Sequence, residues 1–171
     1  MSPSNPTAPG QLRISRHAWL AFGVAVATVL VDQLSKAWVL DGLRLPERGT
    51  IPVLPIFRLT WTGNPGVSFG LLKAQGGLGV ALLVAFSMAV VVALAVWATR
   101  VQRAWTALAI GLVMGGAIGN NLIDRIRQGY VTDFLDFTAL HFPWIFNGAD
   151  SAISIGVGLL LAESLLAPKK A

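Results

Sequence analysis

Apolar residues crowd into four long stretches of this chain, and polar residues gather between them. The stretches predict spans over residues 18–40, 78–99, 104–125 and 146–167. A membrane-crossing helix needs ~20 residues at ~1.5 Å rise each, and every stretch reaches that length. Asp32 and Lys36 interrupt the first, Asp150 and Glu163 lie in the fourth, and the second has no ionisable residue. Tryptophan placement agrees: Trp19, Trp38, Trp97, Trp105 and Trp144 mark span ends, where a headgroup belt would hold them. Ala25-Val26-Ala27 resembles a leader-cleavage site, but it lies in the middle of the first apolar run, so that run is read as a retained span.

Between the spans the pattern changes period. Residues Ile56 to Trp61 alternate apolar and polar, as a half-buried strand does. Pro52 and Pro55 confine the neighbouring residues to an edge or irregular strand. The segment 41–77 is therefore expected to form a small antiparallel sheet on the outer membrane face. Residues 126–145 form a second outer segment, with Gly129 ending the third helix and Tyr130–Trp144 read as a loop. Residues 1–15, rich in Pro, Ser, Asn and Thr, predict a disordered tail. The fold class is a mainly α membrane protein, one domain over 1–171, with four helices and a small sheet between helices 1 and 2.

Composition narrows the function. Charged residues make up 12% of the chain and apolar ones 54%, against roughly 25% charged in soluble domains. The bilayer is thus the expected solvent. With no cysteine, thiolate nucleophiles and Cys-ligated metals are excluded, and His17 and His141 are too far apart in sequence to suggest a zinc motif. No metal or other cofactor is expected. The net charge of +5 is scattered, which suits anionic lipid better than nucleic acid. The short, basic Arg100–Arg103 connection favours both termini in the cytoplasm.

The acidic residues carry the candidate chemistry, because ionisable groups near hydrocarbon are costly. Asp32, Asp124, Asp133, Asp136 and Asp150 all fall at the outer ends of spans or in outer segments. Two close carboxylates can share one proton and activate water, although the same residues could simply pair with Lys36, Arg125 and Arg127. Asn121-Leu-Ile-Asp124 and Asn147-Gly-Ala-Asp150 place an Asn three residues before an Asp at two facing helix ends. Arg125 shares the side of Asn121, and Asn147 also suits a helix N-cap. By spacing alone, Asp124 and Asp150 form the pair. Asp32 and Lys36, four residues apart, read as a structural ion pair. Asn64-Pro65-Gly66 is a turn that can present the Asn64 amide. Glu163 stands alone near the inner end of the last span. Ser68 and Ser151 have no base partner in view, so a serine triad is not supported.

These residues lie in motifs that resemble lipoprotein signal peptidases, the type II signal peptidase family: Asp32-Gln-Leu-Ser-Lys36, Asn64-Pro-Gly-Val-Ser-Phe-Gly70, Asn121-Leu-Ile-Asp-Arg125, Gly129-Tyr-Val-Thr-Asp-Phe-Leu-Asp-Phe137 and Phe146-Asn-Gly-Ala-Asp-Ser-Ala-Ile153. The resemblance implies an aspartic endopeptidase of the bacterial inner membrane, with its active site at the extracytoplasmic face. Such an enzyme removes the signal peptide of diacylglyceryl-modified prolipoproteins before the lipidated cysteine. Its implied partners are those substrates and membrane lipids, with a monomer expected. It assigns the catalytic pair to Asp133 and Asp150, and leaves Asn64, Gly66, Asn121, Asp124, Arg125 and Asn147 to bind substrate or support the site. The chain departs from the usual motif at Asn120, commonly Gly, at Val67 and Ser68, commonly Ala, and at Thr132, often Val. The alternative class is a non-enzymatic four-helix scaffold or small transporter. A transporter would place polar residues at mid-membrane, usually with internal repeats, whereas here they gather at one face.

Overall fold

The computed structural model describes residues 15–66 and 76–166. The expectations for the N-terminal tail before residue 15 and for Val67 and Ser68 lie outside those residues.

Four helices are long and apolar enough to cross a bilayer: Arg16–Gly42, Gly77–Ala98, Ala104–Gln128 and Gly148–Leu166. The first comprises α1 (Arg16–Ala37), continued by a π-helical turn over Trp38–Gly42. A short helix α2 (Leu45–Arg48) leads into strands β1 (Thr50–Leu54) and β2 (Phe57–Asn64). Helix α3 (Gly76–Ala98) returns across the membrane. Helix α4 (Ala104–Ala117) passes through a π-helical segment, Ile118–Asp124, into α5 (Arg125–Gln128). Strands β3 (Val131–Asp136) and β4 (Ile145–Phe146) precede α6 (Gly148–Leu166).

The third span is the centre of the bundle and packs most extensively on α1 and α6. Small residues make this possible, since lipid-embedded helices associate by close van der Waals contact rather than by hydrophobic exclusion. A Cβ added at Gly111 would lie 2.5 Å from the Ala21 carbonyl oxygen, and one at Gly115 would lie 2.5 Å from the Thr28 Cβ, both on α1. Gly116 meets α6 in the same way, 2.5 Å from the Ala149 oxygen. Helix α3 is mostly lipid-facing, with Leu78, Leu82, Phe86 and Val92 exposed. At the end of the bundle that holds the α3–α4 connection, Ser15 donates its hydroxyl to the Val101 carbonyl at 2.6 Å and ties the start of α1 to that connection. Glu163 is not alone there. It accepts from Thr106 Oγ1 at 2.6 Å and pairs with Arg103 at 3.1 Å, because α6 lies against the start of α4.

The sheet is larger than the 41–77 segment alone could make. Its order is β1-β2-β3-β4, antiparallel throughout. Residues 131–136, expected within a loop, form its third strand, and Ile145–Phe146, expected at the junction of the second outer segment and the last helix, form the fourth. The reason is long-range pairing: Arg58 sits opposite Asp136 and Thr62 opposite Asp133, partners that no local pattern reveals. Strand β1, with Pro52, is an edge strand whose register shifts between Pro52 and Leu54. Leu59 and Phe134 bury one sheet face against Val39 and Leu45. Stacked Phe57, Phe137 and Phe146 bind the sheet's other end.

Candidate active site

Four polar residues of the spans meet where α1, the π segment and α6 converge. Lys36 Nζ lies 2.8 Å from Asp32 Oδ2, 2.7 Å from Asp124 Oδ2 and 2.7 Å from Asn120 Oδ1. All three ammonium N–H groups are thereby used. The cluster is sealed, with Asp32 1% and Lys36 3% exposed, so its charges survive only through mutual pairing. Asp32 Oδ1 also accepts the N–H of Ala149 at 3.1 Å, at the start of α6. Gln33 donates to Asp124 Oδ1 at 2.9 Å, and Thr132 N–H reaches Asp124 Oδ2 at 3.2 Å. Asp124 is thus committed to this cluster, which borders a small polar cavity of about 130 Å³ lined by Gln33, Lys36, Asp124 and Thr132.

Asp133 and Asp150 instead share a separate cavity of about 670 Å³. Asp124, which spacing alone paired with Asp150, does not line this cavity, whereas Asp133 does. Strand β3 brings Asp133 there: opposite Thr62 and diagonal to Asn64, it accepts from Asn64 Nδ2 at 3.0 Å. From the other side Asn147 Nδ2 donates to Asp133 Oδ1 at 2.6 Å. The same Asn147 caps α6, its Oδ1 accepting from Asp150 N at 3.0 Å, while Asp150 Oδ2 takes the Asn147 N–H at 3.2 Å. This reciprocal cap fixes Asp150 in the first turn of α6. One residue, Asn147, so orients both carboxyls.

Burial pushes the Asp133 carboxyl up to about 7 and the charge of Asp150 adds to the rise, outweighing the Asn64 and Asn147 hydrogen bonds and the more distant Lys36. Asp136, three residues along the same strand, behaves oppositely. Burial would raise it, but bonds from the Thr138 and Thr60 hydroxyls and the Thr138 N–H, with Arg58 3.1 Å away, bring it down to about 2. One carboxyl of the strand is therefore a stable anion and the other can exchange a proton near neutrality.

Arg125 reaches the turn before the undescribed residues. Its Nη1 donates to the Pro65 carbonyl at 3.0 Å, its Nη2 to the Gly66 carbonyl, and its Nε to Asn121 Oδ1 at 3.0 Å. Gly66 N–H closes the turn on Asn64 Oδ1 at 3.0 Å. The guanidinium thus clamps the backbone that presents Asn64, and Asn121 orients the guanidinium. Most of the remaining cavity wall is apolar, with Phe142, Trp144, Phe146, Ile153 and Ile155, and Thr62, Ser151 and Ser154 interrupt it. Among the described residues no cluster of His, Cys, Asp and Glu suits a metal ion.

Sequence reasoning noted Asn120 and Thr132 only as departures from the family motif, without a role in the site, and missed Gln128. Thr132 is fully buried and accepts from Gln128 Nε2 at 2.9 Å. An Asn-Asn doublet near the end of an apolar span was the available signal for Asn120, since an amide is rarely sunk there without a partner.

Comparisons with known proteins identify the family and the fold. The family described as signal peptidase (SPase) II matches residues 24–166. A protein named lipoprotein signal peptidase from Caulobacter vibrioides is 50% identical over 155 residues, covering 91% of this chain and 92% of its own. One of the same name from Shewanella pealeana is 44% identical over 152 residues, covering 86% and 87%. A solved bacterial membrane enzyme superposes with a TM-score of 0.73 at 28% identity, covering 88% of this chain and 95% of that one.

Proposed function

Since this chain belongs to the signal peptidase II family, we propose that it removes signal peptides from diacylglyceryl-modified prolipoproteins as an aspartic endopeptidase, with Asp133 and Asp150 as the catalytic dyad. The observation that carries the reading is the pairing itself: two carboxyls on one apolar cavity, bridged by Asn147, with one of them raised to about 7. Like charges this close favour a state with a single shared proton.

In the proposed reaction a water between the carboxyls gives a proton to the ionised Asp150 as its oxygen attacks the carbonyl carbon before the cysteine. Asp133 passes its proton to the carbonyl oxygen, forming a neutral gem-diol. The gem-diol then collapses. The C–N bond breaks, the leaving amine takes a proton from Asp150, and Asp133 recovers one from a gem-diol hydroxyl. The products are a carboxylic acid on the signal peptide and a free amine on the cysteine. The N-terminal end of α6 favours the anion on Asp150. Asn64, held by the Arg125 clamp, stands at the cavity rim, where the end of β2 that extends past its pairing with β1 can meet a substrate backbone.

The cavity wall of Ile153 and Ile155 runs along a spanning helix, so acyl chains can stay in lipid while the peptide is cut. The site lies at the end of the bundle opposite Ser15 and the Arg100–Arg103 connection. With that basic connection in the cytoplasm, the site faces the extracytoplasmic side of the inner membrane.

The test is hydrolysis of a diacylglyceryl-modified prolipoprotein in ¹⁸O water by the purified chain. Mass spectrometry should find one ¹⁸O in the signal-peptide carboxylate and the cut before the modified cysteine. A product cut elsewhere, or a trapped acyl-enzyme, would refute the reading.

A further inference from the structure

Asn120 occupies an unusual place between the two charged groups of the site. It is 4% exposed, on the π-helical segment that interrupts the third span. Its Oδ1 accepts from Lys36 Nζ at 2.7 Å, and its Nδ2 donates to Asp150 Oδ1 at 2.9 Å. The chemistry fixes this orientation. An ammonium can only donate, so the amide oxygen must face Lys36, and the NH₂ group must face the carboxylate. A polarised amide therefore connects the buried Asp32–Lys36–Asp124 cluster to a candidate catalytic carboxyl. Single-turn π segments recur at functional sites; here the neighbouring Asn121 turns instead toward Arg125.

We propose that Asn120 is a positioning residue for the dyad, which carries the influence of the Lys36 ammonium to Asp150 and so keeps the shared proton on the Asp133 side. The inference rests on the dyad reading above and adds to it a residue that determines which carboxyl acts as base. Asp133 from β3 and Arg125 from the third span also bear on Asp150, while Asp32 on α1 accepts from the neighbouring Ala149 N–H and Asp124 pairs with Lys36 in the buried cluster. Of these, Lys36 reaches Asp150 through the Asn120 amide.

Asn120→Asp separates positioning from plain support. It keeps the size of the side chain and still offers Lys36 an acceptor, but as a carboxylate it has no N–H for Asp150 and places a like charge beside it. Full-length wild type and Asn120→Asp, labelled with carboxyl-¹³C aspartate in detergent micelles, would be titrated through the Asp133 and Asp150 signals. The same proteins would be assayed for kcat and KM across pH on a diacylglyceryl-modified prolipoprotein. The expected result is that the first ionisation of the pair moves up by about one pH unit or more. The acid limb of kcat should move with it, and kcat should fall at least about tenfold while KM and thermal stability change little. An unchanged titration of the pair overturns the inference, even if activity drops. A wild type that cleaves nothing, with the titration still moved in Asn120→Asp, refutes the peptidase reading and leaves the coupling intact. Should Asn120→Asp fail to fold, Asn120→Ser serves in its place: the hydroxyl can accept from Lys36 but is too short to span to Asp150, and the same upward movement is expected.

Discussion

At Asp133 the proposed catalytic role and stability pull in opposite directions. The folded chain holds this carboxyl at about 7 against an ordinary 3.8, so between those values the fold retains a proton that the unfolded chain releases. Stability therefore falls as pH rises from about 4 to about 7, and the full cost persists above it. The side chain is 2% exposed, so the cost is on the order of a few kcal/mol. Asn at this position removes it. The melting temperature of Asp133→Asn, relative to wild type, should climb by several degrees between pH 4 and pH 8. A difference that stays flat over that range would contradict a buried, proton-holding Asp133. The same group predicts an alkaline limb: kcat/KM should decline as pH rises through about 7, where Asp133 loses the proton that polarises the carbonyl. Asn147→Ala should also act on both carboxyls. Loss of its cap and its bond to Asp133 should cost about 1–3 kcal/mol in thermal unfolding and lower kcat more than it raises KM. Single residues were partly legible in sequence. The Asp32–Lys36 spacing already implied their contact, because helical periodicity is local. Asp133 was placed in a loop, and its assignment to the pair came from resemblance, because the strand that orients it lies some seventy residues away in sequence.

The spans were the most readable elements, since length and apolarity alone decide them. Their ends were less so. Phe146 reads as helix by hydrophobicity, but it pairs with Leu135 as strand β4, and α6 starts only after the Asn147 cap. The π segment at Ile118–Asp124 had no sequence signature beyond its polar doublet. Helix packing, by contrast, is written in the glycines of the third span. Gly115→Leu would drive a side chain into Thr28 and the Ala25 carbonyl, each within 2.6 Å of the added Cβ. A loss of about 1–3 kcal/mol or more is expected. Gly158→Ala on α6 meets nothing within 4 Å and should be neutral or slightly stabilising. Thermal unfolding of the two variants in detergent checks the contrast. Equal stabilities would mean that α1 and the third span are not packed as described.

For the molecule as a whole, the sheet and the bundle divide the work. The sheet supplies Asp133 and Asn64, the bundle supplies Asp150, Asn147 and the buried ion cluster, and the cavity lies between them. Its apolar wall on α6 predicts that substrate arrives with its lipid still in the bilayer, because moving acyl chains into water costs about 0.8 kcal/mol per CH₂. A soluble peptide of the same sequence without the lipid should show kcat/KM lower by at least about a hundredfold, and equal rates would rule out lateral access. The composition announced a membrane protein with chemistry at one face. It could not announce that the proposed site lies on a seam between two segments that connect the spans, since such a seam exists only once β2 and β3 have paired.

The central claim is that Asp133 and Asp150 together perform the hydrolysis. Turnover of a diacylglyceryl-modified prolipoprotein by purified wild type, Asp133→Asn and Asp150→Asn, each shown to be folded by thermal unfolding, tests it most directly. The expected result is efficient cleavage by wild type and a fall of about 10²–10⁴-fold or more in kcat for each variant. Near-normal turnover by either folded variant would contradict the dyad, and no cleavage by folded wild type across several substrates would point to a scaffold that keeps this architecture without its chemistry.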